Sequence, residues 1–111
     1  EANLELQLRI NDREGIAHTY GNLGNIAKTD SNWEAARSFY GKQLEILSAV
    51  GDLDGSGRAW FNLAMIDLET EDPASARPKL QTALELFNSC SADYYIKLTQ
   101  EQLGALDQQN L

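Results

Sequence analysis

Apolar and small residues recur along this chain at three- and four-residue steps, the spacing that gathers them on one side of a helix. From Arg13 to Lys28 the pattern Ile16, Ala17, Tyr20, Leu23, Gly24 and Ala27 predicts one such helix. The next stretch, to about Ala49, turns Ala36, Phe39 or Tyr40, Leu44 and Leu47 inward. Further on, Ala76, Leu80, Ala83, Leu84 and Phe87 draw the same stripe, and Ala92 to Gln108 reads as a last helix. Leu4, Leu6, Leu8 and Ile10 alternate as a strand would.

The punctuation supports helices joined by short turns. Ser31-Asn32-Trp33-Glu34 matches a capping box, with the Ser31 oxygen accepting from the amide three residues on and Glu34 reaching back. Glu71-Asp72-Pro73 places an acidic cap before a proline at the first helical position, where its missing N–H costs nothing. Pro78 falls further inside the same helix and predicts a kink or a tightened first turn there, not a broken helix.

A shift of forty positions lays the chain on itself. Asp12, Gly15, Asn22, Leu23, Ile26, Ala36, Arg37, Leu44 and Glu45 fall on Asp52, Gly55, Asn62, Leu63, Ile66, Ala76, Arg77, Leu84 and Glu85, with no gap. A period of this size marks one helix–turn–helix unit stacked along an axis, with each unit's core shared between neighbours. The expected fold is therefore all-α, an α-solenoid of antiparallel helix hairpins with about six helices. Residues 1–11 read as the tail of a preceding repeat, which overrules the strand-like alternation. Residues 12–51 and 52–91 are repeats, and 92–111 is the first helix of a further repeat or a closing helix. The chain opens in mid-pattern without an initiator Met, which suggests a slice of a longer protein.

Composition adds exclusions. A net charge of −8 speaks against binding a phosphate backbone and favours a basic partner, although an acidic balance also serves solubility. No apolar run is long enough for a membrane span. The single cysteine, Cys90, gives neither a disulfide nor a zinc-type spacing, fits a reducing, cytoplasmic setting, and reads as a small buried or half-buried residue near a helix end. With one His and one Cys, no nucleophile–base pair and no metal set can be assembled, and the glycines at 51, 55 and 57 form no phosphate loop. A non-catalytic chain without a cofactor is expected.

At Tyr20, Leu23, Gly24, Ala36 and Tyr40, and again at Trp60, Leu63, Ala64, Ala76 and Ala83, the chain resembles the tetratricopeptide repeat family. The period and the linker Gly51-Asp52-Leu53-Asp54-Gly55 are similar to the long-hairpin branch of kinesin light chains and the Leu-Gly-Asn polarity adaptors. Ala76-Arg77-Pro78 followed by Leu80 also resembles a recurring form of that branch's second helix. There are departures. Ala27 and Asp67 replace an aromatic of the family's first helix, and Ser31-Asn32 and Glu71-Asp72 replace the Gly-Asp ahead of the second.

The resemblance implies a right-handed superhelix whose first helices line a concave groove for a partner peptide or helix. On that reading Asn22, Asn62 and Gln102 form a ladder of amides, each offering donor and acceptor to a peptide backbone. His18, Asn25, Arg58, Phe61 and Met65 flank it, Arg58 as partner for a carboxylate and Phe61 with Met65 as a soft apolar contact. The structural alternatives are a polar helix surface for the amides, packing for Phe61, and a solitary surface residue for His18. The groove supplies few Lys or Arg, which disfavours recognition of a Glu-Glu-Val-Asp type tail. A second reading is a structural spacer or self-association segment, with Leu4, Leu8, Ile10 and the Tyr94-Tyr95 pair as apolar surface at the open ends.

Overall fold

The computed structural model describes the backbone over residues 2–109 and the side chains over residues 12–108. Five helices follow one another: α1 (Ala2–Thr29), α2 (Trp33–Val50), α3 (Leu53–Glu69), α4 (Pro73–Ser89) and α5 (Asp93–Gln109). Each packs mainly on its neighbours in sequence, so the hairpins stack along one axis.

The four turns are one structure written four times. Ser31, Gly51, Glu71 and Ser91 adopt left-handed backbone, with φ of 59°, 77°, 60° and 56°. The amide of the next residue (Asn32, Asp52, Asp72 or Ala92) donates across the turn to the carbonyl of Ala27, Leu47, Asp67 or Phe87. The left-handed residue itself donates to Lys28, Ser48, Leu68 or Asn88, which completes the Schellman pattern and satisfies carbonyls a helix end leaves free. In three turns the residue after the left-handed one then caps the next helix. Asn32 accepts from the Ala35 amide, Asp52 from Gly55 and Asp72 from Ser75. The Ser75 hydrogen bonds hold the Asp72 carboxyl below the usual carboxylate range. The cap of α2 is thus Asn32 and not Ser31, which the reversal claims for itself.

A side chain at positive φ is strained where glycine is not. Ser31→Gly, Glu71→Gly and Ser91→Gly should each raise the unfolding free energy by about 0.5–1 kcal/mol, with Gly51→Ala moving it the other way. Urea denaturation of the single and combined variants checks this.

One other expectation is revised. The chain does not turn at residues 11–12, because α1 runs unbroken from Ala2, and the described residues hold five helices, close to the six expected. The position matching Gly51 is Asn11, for which helical backbone is less strained than a left-handed turn. At Ser31, Glu71 and Ser91 the packing of a long helix on each side offsets that strain. Leu4, Leu8 and Ile10, expected as apolar end surface, lie outside the described side chains. Pro78, the sixth residue of α4, lies on its exposed side and leaves the helix unbroken, as expected.

Two apolar clusters fill the stack. Ala27, Ala36, Tyr40, Leu63 and Ile66 join α1, α2 and α3. Ala64, Ala76, Leu80 and Leu106 join α3, α4 and α5. Asp67, placed by the sequence where an aromatic would normally pack, is buried beside the first cluster at 3% exposure. Its carboxylate accepts from Arg37 of α2 at 3.2 Å and from Lys79 of α4 at 2.6 Å, tying three helices. Arg77 and Asp107 form the same pair one repeat later at 2.7 Å. The signal was in the sequence: Arg37 and Arg77, and Asp67 and Asp107, each lie one period apart.

Candidate functional site

A groove of about 480 Å³ runs between α1 and α3, with α5 closing one side. His18, Asn22 and Asn25 line it from α1, one helical step apart. Arg58, Phe61 and Asn62 line it from α3, and Tyr95 from α5. Six of the eight residues singled out from the sequence therefore share one surface. The repeat explains why: Asn22 and Asn62 hold the same place in successive units.

Met65 and Gln102 stand elsewhere. Met65 is half-buried against Ala64, Leu80 and Leu106 together with Leu68 and Leu103. Gln102 borders a separate depression with Leu68, Glu71, Pro73, Ala105 and Leu106. The amide ladder thus has two rungs in the groove, to which α5 contributes Tyr95 and not Gln102.

Several groove residues also carry structural work. Asn25 accepts a hydrogen bond from the Tyr40 hydroxyl, which holds that ring under Gly24; burial pushes the Tyr40 phenol up from its ordinary value. Phe61 both lines the groove and packs on the second apolar cluster. Arg58 does not wait for a carboxylate: it forms an ion pair with Asp54, one turn earlier, at 3.3 Å, and its guanidinium lies 5.9 Å from the centre of the Tyr95 ring. Tyr95 in turn stacks on the buried Phe87, with ring centres 5.0 Å apart. Tyr95 and Gln43 are groove residues that the sequence reading missed. Tyr95 was read only as end surface, since a side chain arriving from the next helix has no signature in the repeat.

Charge in the groove leans acidic. Glu14 and Asp52 line it, and its one arginine already has the Asp54 partner. Asn22 is exposed and Asn62 half-buried, and neither amide is a partner in the side-chain hydrogen bonds that tie the helices together. Cys90, expected to be at least half-buried, is exposed at the C-cap of α4. Among the described residues no helix is long and apolar enough to cross a membrane.

Stacked helix hairpins with small residues at the close crossings define a helical-repeat protein with an open groove. A family model for the tetratricopeptide repeat matches residues 2–89, and the chain belongs to that family. Repeats of this family are generally protein–protein interaction modules. No curated protein and no solved structure matches the chain.

Proposed function

We propose that the groove between α1 and α3 binds an extended, basic segment of a partner protein, without catalysis. The observation that carries this reading is the pairing of Asn22 and Asn62 at equivalent places on one open surface. Two amides at one level can each give and take a hydrogen bond from a peptide backbone, which fixes the strand without reading its side chains. Specificity then falls to the neighbours. Glu14 and Asp52 favour Lys or Arg on the partner, in keeping with the chain's net charge of −8. Phe61 and Tyr95 offer flat apolar contact, and the Arg58–Asp54 pair keeps the cation from repelling a basic ligand.

The test is selection of peptides from a random library on the wild-type chain, with affinities then measured on Asn22→Ala/Asn62→Ala. Loss of two backbone hydrogen bonds at about 1 kcal/mol each weakens binding roughly thirtyfold, and the selected peptides should be rich in Lys and Arg. Equal affinity for both proteins would sink the groove assignment.

A further inference from the structure

Gly21 is buried within α1, at a place where glycine is a poorer helix residue than alanine. Its surroundings supply the reason. A β-carbon there would overlap the carboxamide nitrogen of Gln43 and stand 3.1 Å from the carboxamide carbon. Gln43 belongs to α2, which otherwise lends the groove only Leu47. The bare backbone of Gly21 thus lets an amide from α2 lie against α1 and reach the groove. Since Gly21 immediately precedes Asn22, that amide arrives at the level of the asparagine pair.

The fold does not ask for this arrangement. One period later the two places are Phe61 and Ala83, with the large residue on the groove helix and the small one on its partner. Ala83 is fully buried and Phe61 packs on the second apolar cluster. The first unit carries a polar group where the second is apolar. Gln43 is half-buried, and among the described residues no hydrogen bond within the protein uses its carboxamide. An amide that has given up part of its water, with donor and acceptor both unspent, is suited to a ligand.

We propose that Gln43 is the third amide of the groove, binding the main chain of the segment that Asn22 and Asn62 hold, with Gly21 as its positioning residue. The inference rests on the groove reading above and adds the group that meets the ligand. Extending the repeat placed a third amide at Gln102 of α5; Gln43 could not be found that way, because its counterpart is Ala83. The chemistry suits a main chain. In an extended segment the N–H and C=O of one residue point to the same side, so a single carboxamide can meet both. Gln43 is also held against Gly21, whereas Asn22 is exposed, so Gln43 has less freedom to lose when the ligand arrives.

The probe is the tightest peptide from the random-library selection on the wild-type chain, labelled with fluorescein and titrated by anisotropy. Gln43→Ala writes the residue of the second unit into the first, so it should keep the helical circular dichroism, and it should weaken binding at least about fivefold. Gly21→Ala retains the amide but evicts it from its place, and should weaken binding as much. Because both act through one group, Gly21→Ala/Gln43→Ala should bind no more weakly than Gln43→Ala alone. The loss should persist when each residue of the peptide is changed to alanine in turn, as a main-chain contact requires. A peptide that loses affinity for Asn22→Ala/Asn62→Ala yet binds Gln43→Ala within about twofold of wild type overturns the inference and leaves the groove reading standing. Additive losses in the combined variant overturn the role of Gly21, and a loss that vanishes with one peptide side chain overturns the main-chain contact. A library that yields no binder overturns both readings.

Discussion

Removing both cations from around Asp67, as Arg37→Met/Lys79→Met, should lower the unfolding free energy by about 3–5 kcal/mol, because an uncompensated charge is then left buried. The Asp67 side chain is 4% exposed, whereas Arg37 and Lys79 are 43% and 28% exposed and reach it from the surface. That asymmetry decides which deletion hurts. Taking away a cation strands a carboxylate inside, while taking away the carboxylate releases two side chains that water can still reach. Adding Asp67→Ala to the double variant should therefore restore most of the lost stability, a change the first repeat already tolerates as Ala27. The Arg77–Asp107 pair provides the control. Its members are 31% and 67% exposed, so Arg77→Met should cost at most about 1 kcal/mol. Chemical denaturation of the three variants and the wild type measures all of this. A double variant as stable as wild type would show that the carboxylate does not need its partners.

The same residue shows how far the sequence could be read. The forty-residue match was enough to place the helices, the inner stripes and the shared groove position of Asn22 and Asn62, because stacking forces equivalent residues into equivalent surroundings. It marked Asp67 as a departure but could not say where the charge would find company, since Arg37 and Lys79 come from helices on either side. The turns show a different limit. Ser31-Asn32 and Glu71-Asp72 look like losses of a Gly-Asp signature, yet the backbone keeps both conformations and simply strains the first residue. Packing of the long helices overrides the local preference, so Ser31 was mistaken for the cap that Asn32 supplies. At Asn11 the predicted turn is absent. Met65 and Gln102 were placed by extending the groove along the repeat, which ignored that the line of equivalent positions leaves the groove as the stack advances.

Phe87→Ala should cost about 3–5 kcal/mol, the range for emptying a buried aromatic site. Phe87 is fully buried, lies under Gly57, and backs Tyr95, whose ring carries Arg58 at the groove. Partner affinity should fall along with stability, since Tyr95 loses the ring it stacks on. The repeat suggests how the site can be rebuilt. A β-carbon on Gly57 would stand 2.6 Å from Cε1 of Phe87, so the glycine exists to admit the ring. In the first repeat the equivalent positions are Ala17 and Leu47, both buried, a larger residue on one helix and a smaller one on the other. The crossing at the other end of the hairpin is arranged the opposite way. Gly24 lies against Tyr40, with a β-carbon there 2.6 Å from the ring, and its counterparts are Ala64 and Leu80. Each pair fills one space by two routes, glycine with an aromatic or alanine with leucine. Gly57→Ala alone should thus cost about 1–3 kcal/mol from overpacking, and the combined Gly57→Ala/Phe87→Leu should come within about 1 kcal/mol of wild type. Thermal and urea unfolding of the two single variants and the double one measure the coupling. Strictly additive losses would mean that the two positions do not share the space, and that the glycine serves the backbone rather than the ring.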